Sequence, residues 1–275
     1  MKYAALTYTT NNLGDDIQTL AVMQHLPPVD IFVDRDDLKN YQGPKCLLVM
    51  NCWFSGNQEN WPPSENIVPV FFGFHLQKNS KETITQHAEY LRKHAPIGCR
   101  DSETLEFIRS LGVEAYLSLC ATLTFQPVND RVGGTLFFVN AKRNELSRKA
   151  RKALGLTIRT FPHTFGNISV EGRLRYAREI LECYGKFASL IITSRIHCAL
   201  PCTAMGIPVI YVGPREGRTE ILDEIGLPMY SRSRIRRLLR IRKTMSIPAS
   251  APDITGIRKR VQGQLREAIE TVASR

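Results

Sequence analysis

Residues 189–213 read SLIITSRIHCALPCTAMGIPVIYVG, and this stretch decides the fold class. Leu190–Thr193 is a short apolar run of the length and β-branched content that suit a buried strand. A polar junction, Ser194-Arg195-Ile196-His197, leads into the apolar stretch Ile196–Met205, which reads as a helix. Pro208–Val212 then reads as a second strand. A strand, a covering helix and another strand in close succession form a βαβ unit with parallel, buried strands.

The same alternation extends outward in both directions. In the first half, strands are expected at Tyr3–Thr7, Val29–Val33, Cys46–Asn51, Val68–Phe72, Pro96–Cys99 and Ala115–Leu119. Helices are expected over Asp15–His25, Lys81–Lys93 and Ser102–Leu111. Residues 126–134, QPVNDRVGG, combine Pro, Asn, Asp and paired Gly, which marks a linker. Beyond it the pattern restarts with strands Thr135–Asn140 and Thr157–Phe161 and helices Glu145–Leu154 and Glu171–Tyr184. A helix after Gly217, a basic segment and a closing amphipathic helix near Asp253–Val272 complete the chain. The expectation is an α/β protein of two Rossmann-like domains, 1–127 and 128–275, facing across a cleft. The second domain would include the basic segment and the closing helix. Ligands of such sheets sit beyond the carboxyl ends of the strands, so the polar residues there are the candidates.

Composition excludes several classes. The 275 residues are 43% hydrophobic and 23% charged, which sets aside wholesale disorder and small disulfide scaffolds. The seven cysteines include no CxxC pair and mostly lie in apolar runs, which suits buried thiols in a reducing compartment. The start, MKYAALTYTT, lacks the apolar core of a signal peptide, and no run approaches the ~20 apolar residues of a membrane span. A cytoplasmic protein is expected. The formal charge is +11, and seven of those positive charges lie in residues 231–243, SRSRIRRLLRIRK, which hold no acidic residue. The excess is therefore mostly one local patch. Its Ile235, Leu238, Leu239 and Ile241 suit a basic amphipathic helix: either a solvated face or a contact with an anionic membrane.

Three clusters carry the chemistry. Asn11-Asn12-Leu13-Gly14-Asp15-Asp16 follows the first strand; Asp15 and Asp16 can cap a helix, bind an acceptor hydroxyl or act as a base. In Gly98-Cys99-Arg100-Asp101-Ser102-Glu103, Asp101 or Ser102 can cap the next helix, and Arg100 at a strand end can meet a carboxylate or phosphate. In Ser194-Arg195-Ile196-His197, a cation and an imidazole suit anion binding coupled to proton transfer. His75 and His163 each follow an apolar strand, and Arg215 and Arg218 lie in a strand-to-helix loop. There is no GxGxxG, P-loop, GxSxG, HExxH or zinc-type Cys/His spacing.

In order, these clusters resemble the polysaccharide pyruvyl transferase family. Asn12-x-Gly14-Asp15-Asp16 is similar to its N-x-G-D opening. Arg100-Asp101-Ser102-Glu103-Thr104-Leu105 with Leu111-Gly112-Val113 is similar to its central R-D segment. Ser194-Arg195-Ile196-His197 with Gly206-Ile207-Pro208-Val209 is similar to its S-R-x-H…G-x-P-V signature. The resemblance covers roughly residues 1–215. It departs at Ser118-Leu119-Cys120-Ala121-Thr122-Leu123-Thr124, where many relatives carry a D-P pair, and at the loop Gly213–Arg218, which lacks a lysine often found there.

The resemblance implies a GT-B-like fold and a transferase of polysaccharide (exopolysaccharide) biosynthesis. The enzyme would move the enolpyruvyl unit of phosphoenolpyruvate onto a sugar diol, giving a pyruvate ketal and phosphate. The acceptor would be a polysaccharide or lipid-linked oligosaccharide, met at the inner face of a membrane. Arg100, Arg195 and His197 would contact the donor, with Arg215 or Arg218 as auxiliary cations. His197, Asp15 and His75 are the proton-transfer candidates, and Asn12, Asp15 and Asp16 the acceptor-side candidates. Neither metal nor cofactor is expected, and no nucleic-acid partner. Two other readings are a nucleotide-sugar glycosyltransferase, in which the same arginines hold a diphosphate, and a nucleic-acid-binding protein led by the arginine run. That run has no interleaved aromatics.

Overall fold

The computed structural model describes residues 1–54, 58–143, 148–166, 168–215, 217–227, 229 and 250–274. The basic segment 231–243, the start of the helix expected at Glu145 and part of the Gly213–Arg218 loop lie outside the described residues. The chain forms two compact units.

The first unit comprises residues 1–11, 15–121 and 259–275. Strands β1 (Lys2–Thr7), β2 (Ile31–Asp34), β3 (Cys46–Met50) and β4 (Ile67–Phe71) pair in the order β2-β1-β3-β4, all parallel. Helix α1 (Leu13–Met23) follows β1. Every residue of β3 is buried, as expected for a central parallel strand covered on both faces. Two short helices follow, α2 (Lys81–Gln86) and α3 (Ala88–Lys93), where one continuous helix was expected. The break falls at His87, just after the run Thr83-Ile84-Thr85, whose β-branched side chains are weak helix formers.

Strands β5 (Ile97–Cys99) and β6 (Ala115–Leu117) flank helix α4 (Ser102–Ser110) and pair in parallel. A bridge between Phe74 and Cys99 joins this pair to the chain leaving β4. That junction is tight: Gly73 has φ +68°, and its N–H donates to Ser118 Oγ at 2.9 Å. A Cβ on Gly73 would stand 3.2 Å from the carbonyl oxygen of Leu119, itself a non-glycine residue at φ 61°.

The second unit comprises residues 12–14 and 122–258. Strands β7 (Thr135–Val139), β8 (Thr157–Phe161), β9 (Ala188–Thr193) and β10 (Val209–Tyr211) pair in the order β10-β9-β7-β8, again all parallel. Counted from its own first strand, this is the same order as in the first unit, so the two sheets are wound alike. Helices α5 (Arg148–Leu154), α6 (Val170–Phe187) and α7 (Ile196–Ala204) connect the strands, and α8 (Glu220–Glu224) follows the last of them. Each unit is thus Rossmann-like.

The closing helix, α9 (Thr255–Ala273), departs from the expected division of the chain. From Lys259 onward it belongs to the first unit, not to the second. Its Val261, Leu265 and Ile269 are buried, and a cavity of about 310 Å³ lies between its Gln264, Glu267 and Ala268 and residues Phe71, Pro96 and Tyr116. The apolar period of the helix called for a partner surface, and periodicity alone does not say which unit supplies it. All seven cysteines are free, and all but Cys183 are buried.

The Gly73 junction is directly testable. Gly73→Ala should destabilise by about 1–2 kcal/mol, the cost of left-handed backbone at a residue with a Cβ, with a further loss from the approach to Leu119. Gly112 has the same φ of +68° but open space around its Cβ position. Gly112→Ala should therefore cost less, and urea midpoints of the two variants measure the difference.

Candidate functional site

In the first unit the candidate residues collect where the strands end. His75 is 9% exposed at its side chain, and its Nδ1 lies 2.6 Å from Oδ2 of Asp101. Asp101 is the N-cap of α4; its Oδ1 accepts from the backbone N–H of Thr104 at 2.9 Å. Thr104 Oγ1 in turn accepts from the N–H of Leu76 at 3.2 Å, tying the helix start to the His75 loop. The Arg100 Nε lies 3.9 Å from the same Asp101 oxygen. Burial alone would raise the pKa of Asp101. The hydrogen bond and charge of His75, the charge of Arg100 and the Thr104 N–H outweigh it and lower the carboxyl to about 2. A proton held on Nδ1 by a carboxylate leaves Nε2 as the basic nitrogen of the neutral ring.

Asp15 and Asp16 lie in the first turn of α1 and are almost wholly buried. Asp15 Oδ2 accepts from Thr10 Oγ1 at 2.8 Å and stands 3.7 Å from Nη1 of Arg35. Its carboxylate is thereby engaged with its own unit. Arg35, directly after β2, was not among the sequence candidates. Its Nε and Nη2 donate to Asp36 at 2.9 and 3.0 Å, and its guanidinium carbon lies 4.9 Å from the Tyr8 ring centroid and 4.8 Å from that of Trp53. The available signal was positional: in IFVDRDD an arginine follows an apolar strand, as Arg100 does. Cys52 and Cys99 are nearby thiols, but burial pushes both well up, which keeps them protonated.

In the second unit, strand order reverses between β7 and β9, the place where open α/β sheets bind ligands. Asn140 follows β7 at φ 49°, and Ser194 Oγ, just after β9, donates to its carbonyl at 2.8 Å. Arg195 is the N-cap of α7, with extended backbone (φ −103°, ψ 123°) and a partly buried side chain. Its carbonyl accepts from the N–H groups of Cys198 and Ala199, so the helix start fixes the arginine's backbone. His197 is 7% exposed and departs from helical geometry (φ −82°, ψ 18°).

Gly14 packs against His197. A Cβ on Gly14 would lie 3.1 Å from His197 Cβ and 3.3 Å from its Nδ1. Asn12, whose Oδ1 accepts from the Gly14 N–H at 3.3 Å, bridges to Thr164 in the same unit. The Asn12-Gly14 pair therefore supports the His197 corner, where a Cβ on the glycine would be a tight contact.

The remaining candidates separate by environment. His163 is fully buried and its Nε2 pairs with the Tyr184 hydroxyl at 3.1 Å, a core histidine. Arg215 is exposed and donates to Asp223 at 2.7 Å, and Arg218 falls in a short 3₁₀ turn, Gly217–Thr219. Cys198, beside His197, has no exposed surface. Among the described residues, no cluster of three or more His, Cys, Asp or Glu is placed to hold a metal ion, and no helix is long and apolar enough to cross a membrane.

Acidification should report the His75–Asp101 pair. A carboxyl lowered to about 2 stabilises the fold fully above its ordinary pKa of 3.8 and loses that contribution as pH falls toward 2. The shift corresponds to about 2 kcal/mol. Asp101→Asn keeps a helix cap but removes the charge. Urea unfolding between about pH 5 and pH 2.5 should show a shallower loss of stability in the variant than in the wild type.

A family model described as polysaccharide pyruvyl transferase matches residues 12–216, about three quarters of the chain. No curated protein matches. Among solved structures, the chain is similar to a functionally uncharacterized protein, KP1_0663, from Klebsiella pneumoniae. The identity is 11%, the coverage 90% of this chain and 91% of that one, and the TM-score 0.46.

Proposed function

Because the chain belongs to the polysaccharide pyruvyl transferase family, we propose that it transfers the pyruvyl unit of phosphoenolpyruvate to a sugar diol, forming a cyclic ketal and releasing phosphate. The supporting observation is the position of Arg195 and His197, inside the matched segment and at the point where the second unit's strand order reverses.

The donor carries a carboxylate and a phosphate, and a guanidinium can offer either a two-point hydrogen bond. Arg195 supplies that fork in the second unit, and Arg100 supplies one in the first. Arg215 and Arg218 are lesser candidates, Arg215 because it is already paired with Asp223. His197 delivers a proton to the methylene carbon, which turns it into a methyl group and makes the neighbouring carbon electrophilic. A sugar hydroxyl attacks that carbon and gives up its proton to His75. The Asp101 carboxylate steadies the imidazolium that results. A second hydroxyl then displaces phosphate, which leaves with that hydroxyl's proton, and the ketal closes.

His75 suits the base better than Asp15, which is almost wholly buried and whose Oδ2 meets both Thr10 and Arg35 while its Oδ1 accepts from Gln18 at 3.5 Å. Asn12 holds Gly14 in the second unit, and Asp15 holds Arg35 in the first. The scheme uses no metal and no cofactor beyond the donor. Residues 231–243 would bring the protein to an anionic membrane surface carrying lipid-linked acceptors.

Incubation with phosphoenolpyruvate and a panel of β-galactosides and lipid-linked sugars should release phosphate. The acceptor should gain the mass of one pyruvic acid less one water, as ketal formation requires. Phosphate release without that mass gain, or no turnover over the panel, overturns the assignment. Arg195→Ala should lower kcat/KM for the donor roughly 10²-fold or more. An unchanged value removes Arg195 from the donor site.

A further inference from the structure

The carboxyl edge of the first unit holds an aromatic residue beside the His75–Asp101 pair. Trp53 forms a parallel bridge with His75, whose N–H donates to the Cys52 carbonyl at 3.2 Å. Paired residues of adjacent strands point to the same face, and their neighbours along the chain point to the other. Phe54 and Phe74 follow this rule. They stack with centroids 5.4 Å apart and join the core with Trp61 and Phe71. Trp53 and His75 therefore share the opposite face. The next strand continues the row, since Cys99 bridges Phe74 and the Arg100 N–H donates to the Phe74 carbonyl at 2.9 Å. Indole, imidazole and guanidinium thus stand in line across three adjacent strand ends.

The indole is fixed from below. The Arg35 guanidinium carbon lies 4.9 Å from the Tyr8 ring centroid and 4.8 Å from that of Trp53; its Nε and Nη2 donate to Asp36, and its Nη1 stands 3.7 Å from the Asp15 carboxylate. A cation neutralised in this way is a positioning group rather than a ligand for an anion. A cation–π contact holds an aromatic ring most firmly where water is excluded, and Arg35 is 3% exposed while Trp53 is only partly buried.

We propose that Trp53 is the platform on which the pyranose ring of the sugar acceptor stacks, with Arg35 as the positioning residue that fixes it. A pyranose has an apolar C–H face and a rim of hydroxyls. Stacking on indole buries the first and leaves the second directed toward His75, which fits an aromatic surface combined with a few placed polar groups. The proposal rests on the transferase reading for the identity of the reaction. It does not rest on it for the binding of a sugar.

Two measurements separate these. In steady-state kinetics, Trp53→Ala should raise the acceptor KM roughly tenfold or more while the donor KM stays within about twofold, and Trp53→Phe should recover most of the loss. Equal effects on donor and acceptor, or none on the acceptor, overturn the proposal. Without donor, titration with methyl glycosides of galactose, glucose and mannose should change the tryptophan fluorescence of the wild type. The change should vanish in Trp53→Phe, because Trp61 is buried. A response that survives in Trp53→Phe, or no response to any of the three glycosides, also overturns it. A Trp53-dependent response in a protein that turns over no acceptor supports the platform and sinks the transferase reading alone. Circular dichroism confirms folding of each variant, and where the alanine variant does not fold, Trp53→Leu, which keeps apolar bulk but offers no ring face, takes its place in the kinetics with the same expected rise in acceptor KM.

Discussion

One buried carboxylate organises the first unit's candidate site. Asp101 spends one oxygen on the Thr104 N–H at the start of α4 and the other on His75. The same charge that neutralises the helix's exposed N–H groups thereby fixes the imidazole, and Arg100, one residue back, adds to the field that keeps it ionised. Moving Asp101 would disturb helix, histidine and arginine together. The turn at Gly73 has the same character: it lets the chain leave β4 beneath the Leu119 carbonyl so that His75 arrives opposite that carboxylate.

The second unit solves an equivalent problem differently. Its strand order repeats that of the first, so its strand ends open at an equivalent place. There the arginine occupies the N-cap position without a side-chain cap, and the backbone kinks at His197. The support comes from Gly14, far away in sequence, whose lack of a side chain eases its close approach to His197. Two similar sheets thus present a cation and an imidazole each, Arg100 with His75 and Arg195 with His197, with quite different scaffolding behind them.

Much of this was legible in the sequence. The alternation of apolar runs located the strands of the described residues, most readily where a parallel strand is buried on both faces, as β7 is throughout; β8, largely exposed, was read from its place in the alternation. Arg100, Arg195, His197 and His75 stood out because each follows an apolar run directly. What the chain did not disclose depends on distant pairing. Asp101 read as a helix cap, and its second oxygen's role is visible only once β4 and β5 are adjacent. Arg35 and Trp53 lie in separate segments brought together by the β2-β1-β3 order. Asp15 read as a helix cap, an acceptor ligand or a base; that it is buried 3.7 Å from Arg35 depends on a residue that follows a different strand. The closing helix carried its apolar stripe openly, but a stripe does not name the surface that receives it.

The interleaving of the two units has a consequence for biosynthesis. Each contains a piece of the other's stretch of chain: residues 12–14 complete the second unit, and residues 259–275 complete the first. A ribosome delivers the first sheet early, but the helix that covers part of it emerges only after the second unit has been made. The nascent first unit must therefore wait with part of its apolar surface uncovered, exposed to chaperones and to its neighbours on the polysome. For the same reason no cut in the chain yields two whole halves, and a fragment ending before residue 259 would carry that unfinished surface permanently.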